Sequence, residues 1–222
     1  MTRVTEEYPE LDWDDAYAIQ DTIRQRKIDA GHRIVGLKAG LTSKAKMKQM
    51  GVDEPVFGFL CDYGAVSTGG AIEVDRFIAP RIEAELAFVT KFDIVGPDCS
   101  ARQVLDATDF VMPAIEILDS RYKNFGFDLT SVVADNTSAA GFILGGRPRC
   151  ADELDLQTLG IVLEKNGQVM EVGASAAVLG NPATAIAMLA NQLAERDEYI
   201  PAGSTILSGA ITAAIPVDAG DN

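Results

Sequence analysis

The segment Arg81-Ile82-Glu83-Ala84-Glu85-Leu86-Ala87-Phe88-Val89 sets two acids two residues apart inside an apolar run. Its branched, apolar composition predicts a strand, in which successive side chains take opposite faces. Ile82, Ala84, Leu86 and Phe88 then share one face, and Glu83, Glu85, Ala87 and Val89 share the other. A strand this apolar on both faces is expected to be covered on both sides. Neighbouring carboxylates in such a setting repel, and each resists ionising unless a cation compensates it. A hard divalent ion that takes oxygen ligands, Mg2+ or Mn2+, meets that need. A third acid, Glu116, interrupts the apolar run Val111 to Leu118, and a lone Glu in such a run is seldom buried without a partner. Two readings fit these spacings. In one, Glu83, Glu85 and Glu116 converge on a single metal. In the other, Glu83 and Glu85 line a solvated face and Glu116 ends its strand.

Further groups invite the same weighing. Lys38 closes an apolar strand between Gly36 and Gly40. It is either a buried lysine that serves a charge partner or chemistry, or a strand-end side chain reaching out to solvent. Asp62, where the run Phe57-Gly58-Phe59-Leu60-Cys61 opens into a loop, is a pocket carboxylate or a turn former. Arg121 and Lys123 have the chemistry to bind a substrate carboxylate, although a surface placement fits them equally. Asp135-Asn136 shapes a turn or supports the acids. Ser175 and Ser208 have no base in sight and read as structural, and Asp119 reads as a loop anchor.

The elements that must place these groups can be read along the chain. Asp12 caps a helix over about Trp13 to Ala30 that ends before Gly31. Ile34 to Lys38 is a strand. Thr42 or Ser43 caps a short helix that bears Lys44, Lys46 and Lys48 and stops at Gly51. Val56 to Leu60 is another strand, and Ser100 caps a helix to about Ala107. The polar, aromatic stretch Asp119 to Phe125 is long enough to be a functional loop. Gly141 to Leu144 is a short strand, and Lys165-Asn166-Gly167 joins the two arms of a hairpin. Asn181 and Pro182 are the cap and first residue of a helix to about Arg196, whose Ile186, Leu189, Ala190 and Leu193 face the core. Strands at Thr205 to Ser208 and Ala213 to Val217 finish the chain. Many short strands with two substantial helices predict a mixed sheet or β-barrel with helices outside, an α+β or mainly β fold.

Composition excludes several classes. With 222 residues, 47% of them hydrophobic, the chain fits one large domain or one domain with a small appendage. Thirty-three acidic against nineteen basic side chains give a formal charge of −14, which disfavours nucleic acid as a partner. No apolar run approaches a membrane span and the first residues do not resemble a signal peptide, so a cytoplasmic protein without a membrane partner is the expectation. The three cysteines are too scattered for a disulfide framework or a thiolate site. A single histidine, His32, rules out a histidine-rich zinc site. There is neither a G-x-G-x-x-G nor a Walker loop.

The motifs Gly36-Leu37-Lys38-Ala39-Gly40-Leu41-Thr42-Ser43, Pro80-Arg81-Ile82-Glu83-Ala84-Glu85 and Pro113-Ala114-Ile115-Glu116 together resemble the hydratase/decarboxylase branch of the fumarylacetoacetate hydrolase superfamily. Val133 to Asn136, Leu179 to Pro182 and Leu207 to Ala210 add to the likeness, which covers nearly the whole chain. Tyr8-Pro9-Glu10, Gly58 to Tyr63 and Asp119 to Phe125 lean toward the decarboxylase side, and the hydratase pattern carries a serine at the place of Ala176. The resemblance implies a single catalytic domain over 1–222 with a helical segment at 1–31, built as the superfamily's mixed β-barrel or β-roll with flanking helices. It implies Mg2+ (or Mn2+) on Glu83, Glu85 and Glu116, an active-site Lys38, and no organic cofactor. The implied substrate is a small 2-oxo dicarboxylic acid such as 2-oxohex-3-enedioate, decarboxylated to 2-hydroxypenta-2,4-dienoate. Asp62 is then a second catalytic candidate. Arg121, Phe59 and Leu60 are candidates for holding the substrate, the two apolar residues around the carboxylate that leaves. The sister activity is 2-hydroxypenta-2,4-dienoate hydratase, and the implied assembly is a complex with that hydratase, in which this chain is catalytic or a supporting subunit, or a homo-oligomer. Family members also carry residues before Thr5 and a last strand beyond Asn222, so the closing strand is expected to be missing here.

Overall fold

The structure, a computed structural model, describes residues 1–222. Helices α1 (Val4–Glu7) and α2 (Trp13–Asp29) precede strand β1 (Ile34–Gly40), helix α3 (Lys44–Met50) and strands β2 (Val56–Cys61) and β3 (Ala65–Val66). Strand β4 (Arg81–Thr90), helix α4 (Ala101–Ala107), strand β5 (Thr108–Leu118), helix α5 (Leu129–Ala134) and strand β6 (Ala139–Leu144) follow. The hairpin β7 (Gly160–Lys165) and β8 (Gln168–Ala174), helix α6 (Pro182–Ala194), β9 (Thr205–Leu207) and β10 (Ile215–Pro216) complete the chain.

Capping chemistry sets the helix starts. Asp12 and Asp15 form a reciprocal capping box at α2, and Ser100 and Gln103 form another at α4. The Asn181 side chain accepts the Ala183 N–H, with Pro182 as the first helical residue of α6. At α3, Ser43 holds the cap position without a side-chain hydrogen bond, and Gly51 ends the helix in the left-handed conformation.

One eight-stranded sheet runs β2-β1-β9-β4-β5-β6-β3, with β10 beside β4, and β7-β8 form a separate ribbon. The long pair β4–β5 is antiparallel, with Glu83 opposite Glu116 and Glu85 opposite Ala114. Register carries this face across the sheet, because directly paired residues point the same way. Ala87 pairs Leu207, Leu207 pairs Lys38, and Glu116 pairs Phe142. Leu60, Ala87, Ala114, Phe142 and Leu207, from five strands, make one apolar cluster. Side chains from β2 and β6, on opposite sides of the sheet order, meet there, so the sheet is curled into a half-barrel with this face inside.

The opposite face bears Leu86, Phe88, Val111 and Ile206, which join Ile186, Leu189 and Leu193 of α6 and Val104 of α4 in the main core. The apolar stripe of α6 thus covers the outside of the curl, and α2 contributes Ala16 and Tyr17 to the same cluster. The predicted mixed sheet with helices outside is the architecture observed, and the N-terminal segment is helical at 4–7 and 13–29.

Candidate active site

Alternation on β4 sends Glu83, Glu85 and Ala87 into the half-barrel, and pairing brings Glu116 beside Glu83. One carboxylate oxygen from each of Glu83, Glu85 and Glu116 lies within 4.8 Å of the others. Glu85 and Glu116 are 1% and 0% exposed, so neither acid has water to stabilise its charge. The Gly209 N–H donates to Glu85 Oε2 at 2.8 Å. Glu85 Oε1 and Glu116 Oε2 accept no hydrogen bond, and Glu116 Oε1 has only the Lys38 ammonium beside it. Native interiors rarely leave buried oxygens orphaned in this way.

Lys38 stands beside them. Its Nζ forms an ion pair with Glu116 Oε1 at 3.0 Å and donates to Thr137 O at 3.2 Å. Burial works to lower the lysine pKa, but Glu116, Glu85 and Glu83 outweigh it, so the ammonium is held above its ordinary value. Burial, and then the Glu116 charge, push Glu83 up to about 7 against the pull of Lys38 and Lys46. Burial and Glu116 raise Glu85 well above the carboxylate range, and burial raises Glu116 despite Lys38. Three carboxylates and one ammonium leave two negative charges, which one divalent cation neutralises. The convergent, orphaned, all-oxygen donor set suits a hard ion such as Mg2+ and no thiophilic one.

A cavity of about 510 Å3 opens beside the cluster, with Lys38 and Glu83 on its wall. Lys46, Gln49 and Met50 of α3 line it, together with Asn124, Phe125 and Phe127 from the loop after β5 and Val132 of α5. Arg81, two residues before Glu83 on the same face of β4, lines it as well. The loop turns on Asn124 and Phe125, both left-handed at φ 57° and 55°.

The structure brings Glu83, Glu85, Glu116 and Lys38 together and separates four other candidates from them. Asp62 stands about 13 Å beyond Gly58, the partner of Lys38, at 3.3 Å per strand residue. Its carboxylate pairs with Arg33 at 3.2 Å and accepts the Tyr63 N–H, so it is a turn former outside the cavity. Arg121 spends its donors on Asp135, at 2.5 Å, and on the carbonyls of Asp119, Ala139 and Asp135. It is absent from the cavity wall because it braces the loop. Leu60 faces inward but fills the apolar plug, and Phe59 is buried with its N–H held by Asn136 Oδ1. Neither reaches the cavity. Asn136 clamps β2 through Phe59 N and O, and Asp119 anchors Ile78 N and Ala79 N.

Arg81, Lys46, Asn124 and Gly209 escaped the sequence reading. Arg81 had a signal: residues 81, 83 and 85 obey one alternation. Gly209 had none, because its role comes from φ 109° and from Thr42, whose Oγ1 would lie 2.1 Å from an added Cβ.

These features define a half-barrel protein whose inner face carries an acid cluster and one lysine beside an open cavity. No protein-family model matches the sequence. A 4-oxalocrotonate decarboxylase of Pseudomonas sp. strain CF600 is 58% identical over 222 residues, 100% of this chain and 84% of that protein. A 2-oxo-hept-4-ene-1,7-dioate hydratase of Escherichia coli is 42% identical over 221 residues, 97% of this chain and 83% of that one. The solved structure of 4-oxalocrotonate decarboxylase from Pseudomonas putida G7, complexed with magnesium and adipate, superimposes with a TM-score of 0.97 at 55% identity, covering 100% of this chain and 84% of its own. The chain belongs to the 4-oxalocrotonate decarboxylase family, to which the hydratase is related at 42% identity, and it shares its fold with a fumarylacetoacetate hydrolase family structure from Yersinia pestis that is 17% identical at a TM-score of 0.59.

Proposed function

We propose that residues 1–222 form a single catalytic domain that decarboxylates 2-oxohex-3-enedioate to 2-hydroxypenta-2,4-dienoate and CO2 with a divalent cation, Mg2+ or Mn2+. The observation that carries this reading is the convergence of Glu83, Glu85 and Glu116, with orphaned buried oxygens, beside a cavity able to admit a six-carbon acid. The magnesium and adipate bound by the 55%-identical structure are a hard divalent ion and a six-carbon diacid, which supports ligands of these two kinds here.

In the reaction the C5–C6 bond of the substrate breaks, C6 leaves as CO2, and the bonding pair moves through the C3–C4 double bond onto the 2-oxo oxygen. One proton then completes the enol. A divalent ion on the three acids would supply a Lewis acid that polarises the 2-oxo group. Glu83, Glu85 and Glu116 fix where the 2-oxo acid end docks, and Gly209 N–H fixes the orientation of Glu85. Lys38 sits beside Glu116 and lines the cavity, so it presents N–H donors where the oxygen gains charge. Phe125, Phe127 and Val132 add apolar surface to the cavity wall around the carbon chain of the acid.

The sister reading is hydration of 2-hydroxypenta-2,4-dienoate, supported by the 42% identity to the Escherichia coli hydratase. A dependent role is a second form of it, with this chain joined to such a hydratase in one assembly. The deciding assay supplies 2-oxohex-3-enedioate to the purified chain with Mg2+ or with EDTA and identifies the products. CO2 release that EDTA stops supports decarboxylation, whereas a 4-hydroxy-2-oxo acid formed from the dienol supports hydration. No turnover alone, but a faster partner hydratase on mixing, supports the subunit role. No helix of the chain is long and apolar enough to cross a membrane.

A further inference from the structure

Arg81 is the only arginine on the cavity wall, and its side chain forms no ion pair and donates no hydrogen bond within the chain. Its guanidinium instead lies 4.4 Å from the centroid of the Phe125 ring. Stacking on an aromatic face occupies the plane of a guanidinium and leaves its N–H edge free for a planar, two-toothed anion. The backbone that presents Phe125 turns left-handed at Asn124 and Phe125. Arg81 is exposed to solvent, rests on the Phe125 ring and pairs with no carboxylate of the chain.

Spacing identifies the anion. Arg81, Glu83 and Glu85 succeed each other on one face of β4, and each two-residue step advances about 6.6 Å. An extended six-carbon diacid sets its two carboxyl carbons about 6 Å apart, from C–C bonds of about 1.5 Å. With its 2-oxo acid end at the three glutamates, the far carboxylate falls beside Arg81. We propose that Arg81, steadied by Phe125, recognises the far carboxylate of a six-carbon 2-oxo diacid and so selects diacids over monoacids at this site. The proposal rests on the reading of the acid cluster as the cation site that docks the 2-oxo end. Lys46, which also lines the cavity, is the rival cation, a flexible point charge without the fork.

Calorimetric titration of the full chain, loaded with Mg2+, with 2-oxoadipate and with 2-oxohexanoate tests it, since these unreactive acids differ only in the far carboxylate. The expected wild-type preference for 2-oxoadipate is roughly tenfold to a hundredfold, the range of hydrogen bonds to charged groups. Arg81→Gln should erase that preference and leave 2-oxohexanoate binding as it was, and Arg81→Lys should restore only part of it. Phe125→Leu should reduce the preference in the same direction. With the reactive substrate, the Arg81→Gln loss should fall on KM more than on kcat. Equal weakening of both acids by Arg81→Gln, or a preference that survives it and disappears in Lys46→Gln, overturns the proposal. A wild type that binds both acids equally, and only with Mg2+, overturns Arg81 while the cation site stands. Binding of neither acid, or equal binding in EDTA, ends both.

Discussion

The Lys38 ammonium and Glu116 face each other 3.0 Å apart at the heart of the half-barrel, with side chains 5% and 0% exposed. The pair exists because Lys38, Leu207, Ala87, Glu85 and Ala114 follow one another across four strands on a single inner face. A lone buried lysine would lose its proton readily. Here, with no cation on the acids, the neighbouring carboxylates hold it charged.

Lys38→Gln is accordingly expected to lower kcat by roughly a hundredfold or more, the usual cost of removing one donor to a developing oxyanion. Mg2+ affinity should not weaken, because the variant removes a positive neighbour of the ion. Steady-state kinetics and a Mg2+ titration on the same sample check both statements. Unchanged kcat would remove Lys38 from the chemistry.

The raised acids make stability depend on pH when no cation is supplied. Glu83 rises from an ordinary 4.5 to about 7 in the fold, chiefly through burial, and Glu85 and Glu116 rise too. A folded value above the unfolded one means the fold holds the proton more tightly. That stabilisation is fully present below about pH 4.5 and is lost as pH rises through about 7. In EDTA the Tm should therefore fall between about pH 5 and pH 8. Mg2+ should recover it at the higher pH by replacing the protons. A Tm in EDTA that rises or stays level over this range would contradict the burial of unpartnered acids.

Much of this centre was legible in the sequence, since period-two alternation and two apolar runs point to Glu83, Glu85 and Glu116. The caps at Asp12, Ser100 and Asn181 were legible for the same reason, being local. Which residues border the cavity was not, because that depends on the curl of the sheet. Leu60 is on the inner face yet is buried in the plug, and Arg121 lies in the expected loop yet turns to Asp135. Arg81 was missed because a charged residue opening an apolar strand looks like its solvent end.

Arg121 should behave as a brace. Arg121→Ala leaves Asp135, whose side chain is 8% exposed, without its cation. With the arginine itself 35% exposed, the cost is expected at about 1–3 kcal/mol rather than that of a fully buried pair. Chemical denaturation measures it. A variant of unaltered stability with a raised KM would return Arg121 to the substrate.

Gly209→Ala tests the support of Glu85. An added Cβ would lie 2.1 Å from Thr42 Oγ1, at a φ of 109° that other residues rarely adopt. The variant should lose stability and, in the folded fraction, bind Mg2+ more weakly as the bond to Glu85 Oε2 is displaced. Thermal melts with and without Mg2+ separate the two effects, and Mg2+ stabilisation equal to wild type would dismiss the supporting bond.

The most direct measurement is anomalous diffraction from a crystal of the chain soaked in Mn2+. The expected result is a single strong peak among Glu83, Glu85 and Glu116, about 2.0–2.2 Å from one oxygen of each. A crystal whose Mn2+ peak lies elsewhere, with these three acids bound to nothing, would contradict the account.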